Sequence, residues 1–197
     1  MRPTARRATS ADVPAISSTL QKAFVDDPVK IHLFGGRTVP EHKAVTFFET
    51  FATVQLRHGH VYVSEGCEAA SIWTPPGHWK LPFADIVRHA PRFIRVFGHR
   101  LVSNLLLLEQ VEKAHPSEPH YYLEFVGADP AHRGKGFGAS VIEPVLEVAD
   151  AEGVGCYLEN SKQTNLAFYS RFGFEVRETL TIRKGGPTLW LMWRDPR

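Results

Sequence analysis

The chain has 197 residues with 43% apolar and 22% charged content, which suits one globular domain with its own core and excludes a disordered or low-complexity polymer. A formal net charge of +2 gives no electrostatic case for a nucleic-acid partner, and Cys67 and Cys156 form neither a disulfide framework nor a Cys-x-x-Cys metal pair. No apolar leader follows the basic start, and the run Leu105 to Leu108 is too short to span a bilayer, so the expectation is a cytoplasmic protein, monomer or homodimer, with no membrane partner.

A short first strand is expected over Arg6 to Ala8. Thr9-Ser10-Ala11-Asp12 then reads as a capping box ahead of a helix whose apolar positions are Val13, Ile16, Leu20 and Phe24. Asp26-Asp27-Pro28 breaks that helix, and Gly35-Gly36 marks a loop before a second helix through Phe47, Phe48, Phe51 and Val54. Val61-Tyr62-Val63 and Ala69 to Trp73 predict two strands joined by a turn near Gly66. From Pro75 to Pro116 helical spacing takes over through Phe83, Ile86, Phe93, Phe97, Leu101 and Leu105, an insertion whose apolar face packs on the core and could wall a pocket.

A strand resumes at Tyr121. The following helix carries the apolar stripe Val141, Ile142, Val145, Leu146 and Ala149, with Pro144 well inside and expected to bend it. A short strand is predicted from Gly155 to Asn160, and two closing strands, about Glu175 to Ile182 and Leu189 to Trp193, meet through Gly185-Gly186-Pro187. No repeat or linker interrupts the chain, so one α/β domain around a mixed sheet is expected over residues 1–197.

The segment from Tyr121 to Ala139 carries the most chemistry. An apolar strand passes through Asp129-Pro130 into Arg133-Gly134-Lys135-Gly136-Phe137-Gly138 and a helix beginning near Ala139. Glycines that accept unusual backbone angles, set before a helix N-terminus, bring several N–H groups toward one anion, and a pyrophosphate fits such a cradle. A P-loop is excluded, because Asp129 stands where its first glycine belongs and no Ser or Thr follows Lys135. A dinucleotide fingerprint matches in letters, Gly134-x-Gly136-x-x-Ala139, yet the five residues Asp129 to Arg133 separate the strand from the first glycine.

A strand, an Asp-Pro turn, Arg-Gly-x-Gly-x-Gly and a helix, followed by the short strand and then Asn165-Leu166-Ala167-Phe168-Tyr169 with Phe172-Gly173-Phe174, resembles the GNAT superfamily of acyl-CoA-dependent N-acetyltransferases. Phe24-x-x-x-Pro28 with His32, the pair Trp73-Thr74, Leu158-Glu159-x-Ser161 and Gly186-Pro187-x-x-Trp190 further resemble its puromycin N-acetyltransferase members, although Glu124 and Pro76-Gly77 depart from them and puromycin itself is not implied. The resemblance implies a mixed, mostly antiparallel central sheet flanked by helices, and acetyl-CoA as co-substrate. It places the diphosphate on the backbone of residues 134–139 with charge from Arg133 and Lys135, the pantetheine arm along Val126, Gly127 and Ala128, and Asn165 beside that arm. Tyr169 corresponds to the tyrosine that protonates the departing thiolate.

A base must also accept a proton from the amine. Glu159 on the short strand and Glu124 in the preceding apolar strand compete for that role, and Glu159 falls on a glutamate shared with the puromycin enzymes. Glu124, Trp73 and His32 are the candidate acceptor contacts. His58-Gly59-His60 lacks a third ligand nearby, so no metal is assigned, and Cys156 has no His partner to make it a nucleophile. The expected reaction is direct transfer of an acetyl group from acetyl-CoA to a primary amine of a small molecule. The alternative is a non-catalytic acyl-CoA-binding sensor, which would keep the loop and lose the acid and the base.

Overall fold

The structure is a computed structural model that describes residues 3–36, 38–183 and 185–197. Its strands are β1 (Ala5–Arg7), β2 (Val61–Ser64), β3 (Ala69–Thr74), β4 (His120–Ala128), β5 (Gly155–Asn160), β6 (Glu175–Thr181) and β7 (Thr188–Arg194). They form one seven-stranded sheet in the order β1-β2-β3-β4-β5-β7-β6. Neighbours are antiparallel except β4 and β5, so the mixed, mostly antiparallel sheet implied by the sequence is present.

Helices α1 (Val13–Ala23), α2 (Pro28–Leu33) and α3 (Glu41–Gln55) precede β2, while α4 (Phe83–Phe97) and α5 (Leu101–Ala114) make up the predicted insertion. On one face Ile16, Leu20, Phe47, Phe48 and Ala52 from α1 and α3 close over Val61, Val63, Ala70 and Ile72. On the other, Val145, Leu146 and Ala149 pack on Tyr121, Leu123, Cys156 and Leu158. A smaller cluster sets Leu107 and Val111 of α5 against Tyr157, Ile182 and Leu189. That alternation follows from the two-residue period of a strand.

Three readings of the sequence are corrected in detail. Asp27-Pro28 not only ends a helix but also starts α2: the Asp27 carboxylate accepts from Lys30 N at 2.7 Å, and Pro28 takes the first helical position, where no N–H is needed. Pro144 does not bend one helix. It divides the segment into α6 (Phe137–Ser140) and α7 (Glu143–Glu152) and lies in the first turn of the latter, so its missing N–H breaks no ladder bond. The first strand covers Ala5–Arg7, one residue earlier than expected.

The feature that makes the site is where β4 and β5 part. Their ladder contains His120–Gly155, Tyr121–Cys156 and Tyr122–Tyr157 and goes no further. Beyond Tyr122, β4 stays bound to β3 on one edge while its other edge faces a widening gap. The β3–β4 register shifts between Ile72 and Trp73, which oppose Phe125 and Leu123, so Glu124 is the extra residue of a bulge.

Candidate active site

The gap is a cavity of about 770 Å³ between β4, β5, the glycine loop, the α1–α2 link and α8 (Leu166–Ser170). Its lining contains Val126, Gly127, Ala128, Arg133, Gly134, Gly136, Phe137, Gly138, Ala139, Asn165 and Tyr169, together with Glu124 and Glu159. Residues that sequence reasoning drew from separate segments thus share one space.

Gly134 and Gly136 have φ of +76° and +88°, the left-handed region, and Gly136 is the N-cap of α6. Alternating backbone of this kind turns successive N–H groups inward, and a Cβ at Gly134 would meet nothing within 4 Å. The loop is therefore an open, backbone-lined anion cradle. Asp129 braces it by accepting from Ala131 N at 2.9 Å and from Lys22 Nζ at 2.9 Å. Arg133 is exposed at the cavity edge, whereas Lys135 is not in the lining, its ammonium donating to Ala131 O at 3.3 Å. A Cβ on Gly127 would stand 2.6 Å from Ala23 Cβ, so this glycine is required for the close approach of α1 to β4.

Tyr169 is 8% exposed, wedged against Phe168 and Phe174, and burial followed by the charge of Asp27 raises its phenol pKa. It is held as a protonated acid. Asn165, which immediately precedes α8, makes no capping hydrogen bond with its side chain. The α1–α2 link is tied to the far end of β5, for Ser161 donates to Asp27 and Lys162 Nζ donates to Asp26 Oδ1 at 2.5 Å. This clasp went unread because its partners are more than 130 residues apart.

Glu124 Oε1 accepts from Gln55 Nε2 at 2.6 Å, while Glu124 Oε2 and Glu159 Oε1 are buried without a hydrogen-bond partner among the described residues. Burial, reinforced by the charge of Glu159, pushes Glu124 up to about 8 despite the Gln55 contact. Behind Glu159, His115 Nδ1 lies 3.4 Å from its Oε1, and the imidazole is stacked on Trp79 with ring centroids 3.8 Å apart. Burial and the same carboxylate raise the phenols of Tyr122 and Tyr157. Trp79 is readable from the sequence as a possible aromatic neighbour of the acceptor site, whereas Gln55 and His115 carry no local signal, since α3 and the end of the insertion reach the carboxylates only through the tertiary fold.

The other acceptor candidates separate. Trp73 is fully buried in the α7-side core and lines neither this cavity nor the second one, because the bulge sets it on the same face as Leu123. His32 borders the second cavity, about 670 Å³, which lies between α5 and β6 and includes Arg100, Asn104, Leu107, Glu178 and Ile182. Cys156 is fully buried and its thiol is pushed up to about 12 by that burial, which disqualifies it as a nucleophile. His58 lies against His78, and no metal-binding group of three or more His, Cys, Asp or Glu occurs among the described residues.

With that geometry established, the comparisons with known proteins are specific. The model of the acetyltransferase (GNAT) family matches residues 61–174, more than half of the chain. The chain belongs to the GNAT family. It is an acetyl-CoA-dependent N-acetyltransferase. An uncharacterised N-acetyltransferase of Schizosaccharomyces pombe is 26% identical over 98% of this chain and 83% of its own length. Glucosamine 6-phosphate N-acetyltransferase of Trypanosoma brucei brucei is 29% identical over 48% of this chain and 67% of its own. In fold the GNAT member resembles a Corynebacterium glutamicum protein described as histone acetyltransferase HPA2 and related acetyltransferase, with a TM-score of 0.76, 24% identity and coverage of 100% and 98% of the two chains. The glycine cradle and the open β4 edge fit the diphosphate and the amide-rich arm of coenzyme A.

Proposed function

We infer that this enzyme transfers the acetyl group directly to a primary amine of a small molecule, with Glu159 as base and Tyr169 as acid. The observation that carries this reading is the buried acceptor oxygen Glu159 Oε1, which has no hydrogen-bond partner among the described residues and belongs to a side chain lining the cavity that Tyr169 also lines. Buried acceptors left without donors are costly, and an ammonium, which carries only donors, satisfies them. A buried carboxylate also suits a cationic acceptor better than an alcohol or a thiol.

The chain's own groups account for each step. Backbone N–H groups of residues 134–139 hold the diphosphate, and the unpaired edge of β4 from Val126 to Ala128 aligns the pantetheine arm, with Asn165 beside it. The β4 backbone near Val126 is placed to polarise the thioester carbonyl. Glu159 takes a proton from the ammonium, freeing the nitrogen lone pair, and Tyr169 gives its proton to sulfur as the carbon–sulfur bond breaks. Holding both reactants in one cleft provides the proximity that direct transfer requires, and the inert thiol of Cys156 is consistent with transfer that has no acyl-enzyme.

The inserted helices are anchored away from this cavity, whose lining contains none of their residues. Gln110 of α5 donates to Thr181 O at 2.9 Å and accepts from Arg183 N at 3.1 Å, which ties the inserted helices to the end of β6. The test is thiol release with a panel of small primary amines and short peptides at saturating acetyl-CoA, with the product identified by mass. Acetylation of small amines is expected. Binding of acetyl-CoA with no acetylation across the panel would establish the sensor reading instead.

A further inference from the structure

The base is backed by a histidine pair whose proton arrangement is dictated by what surrounds it. His120 Nδ1 lies 2.6 Å from the Glu118 carbonyl, and a carbonyl only accepts, so Nδ1 carries the hydrogen. His120 is 3% exposed, and that burial lowers its pKa, which leaves the ring neutral and its Nε2 bare. His115 Nε2 is 2.9 Å from that bare nitrogen and must donate to it. His115 Nδ1 is then bare as well in the neutral ring, and it faces Glu159 Oε1 across 3.4 Å. A lone pair opposes a carboxylate oxygen at the one position in the chain that lacks a proton.

We propose that His115, held by His120 and Trp79, is the proton store of the reaction, taking from Glu159 the first proton shed by the acceptor ammonium so that the same carboxylate can take the second. The inference rests on the assignment of Glu159 as base. An ammonium becoming a secondary amide loses two protons, and one carboxylate holds one. Glu159 accepts the first and passes it to His115 Nδ1, giving an imidazolium beside a carboxylate. As the new carbon–nitrogen bond forms, the second proton goes to Glu159, while Tyr169 loses its proton to the departing thiolate. Of the two protons held, one restores Tyr169 and the other leaves to solvent, which balances the conversion of ammonium and thioester into amide, thiol and one proton.

The pair returns the stored proton through Glu159, because beyond His120 the wire ends on a peptide carbonyl that cannot hand a proton onward. The titratable groups around His115 are Glu159, Tyr157, Tyr122 and His120 from β4 and β5. Beyond them stand Glu124 and Glu178 on the strand side, and on the insertion side Glu112 with Lys80, whose ammonium lies 4.8 Å from the Trp79 ring centre. The Trp79 face favours a cationic ring stacked on it.

The decisive variant is His115→Phe, which keeps a ring for Trp79 and removes both nitrogens; His115→Gln is the second, keeping polarity without a titratable ring. At saturating amine and acetyl-CoA, kcat is expected to fall about tenfold to a hundredfold with KM for acetyl-CoA unchanged, and the acidic limb of the kcat–pH profile to move. In His115→Ala, added imidazoles should restore turnover in proportion to their basicity, a response that a packing role would not give. Nitrogen NMR of the labelled wild type provides a readout independent of turnover: His120 should be the Nδ1–H tautomer and His115 the Nε2–H tautomer when neutral. The opposite tautomers, or a folded His115→Phe enzyme with wild-type kcat and pH profile, would overturn the proposal. A wild type that acetylates no amine would instead refute the base assignment, and the NMR result would stand apart from it.

Discussion

From Val126 to Ala139 the cleft is walled by main chain: an unpaired strand edge and a loop bent by two left-handed glycines, all within one continuous stretch. Behind Glu124 and Glu159 the carboxylates are backed by side chains drawn from α3, the segment leading to α4, the end of α5, β4 and β5, represented by Gln55, Trp79, His115, Tyr122 and Tyr157. Backbone recognition needs local geometry and tolerates many side chains, so it leaves a short motif in the sequence. Side-chain recognition needs partners placed by the tertiary fold, and its residues look ordinary until the fold is known.

Substitutions can test that division. The largest effect is expected for Tyr169→Phe, which keeps the packed ring and removes the acid: thiol release should slow by about 10²- to 10⁴-fold at saturating acetyl-CoA, with calorimetric affinity unchanged. Retention of wild-type turnover would assign protonation of the thiolate to water.

Next comes Gly136→Val on the backbone side. A branched residue forced to φ +88° disturbs the cradle, and acetyl-CoA affinity by calorimetry should weaken about tenfold to a hundredfold in a variant that still folds. Unchanged affinity would remove the loop from the site. Glu159→Gln, on the side-chain half, should leave that affinity nearly intact and reduce turnover most at neutral and lower pH, where the acceptor is protonated and needs a base. If Glu124→Gln alone has this effect, the base is the other carboxylate.

The smallest effect concerns stability. A carboxyl raised to about 8 binds its proton more tightly folded than unfolded, so Glu124 contributes stability below the ordinary carboxylate value that is lost as pH rises toward 8. Urea denaturation of the wild type should therefore show a fall of about 1–3 kcal/mol between pH 5 and pH 8 that Glu124→Gln lacks. Equal slopes in the two proteins would show that Glu124 ionises freely in the folded state.

How much could be read from the sequence follows the same division. The strands on either side of the split and the loop from Asp129 to Ala139 are legible in the sequence, because glycine spacing and a proline turn act locally. The insertion was recognised from its helical period, and α4 and α5 fall inside the expected 75–116 window. Pro144 was misread because proline at the start of a new helix and proline inside an old one have the same local sequence. Trp73 is a candidate acceptor contact by aromatic character and by the Trp73-Thr74 resemblance, and the bulge at Glu124 that determines which face it occupies has no signature in composition. His115 was passed over because its importance lies in a contact with Glu159, 44 positions away in the chain and 3.4 Å away in space.

The short β4–β5 ladder has a mechanical consequence. Three residue pairs are all that join the β1–β4 plate to the β5–β7 plate within the sheet, with the α7-side core shared beneath them. A ligand lying along the open edge of β4 acts as the strand the sheet lacks, so loading the enzyme also stitches its two plates together. The thermal transition should then follow acetyl-CoA concentration, and amide-exchange protection should spread on loading from the ladder at Tyr121 and Tyr122 to Ala128.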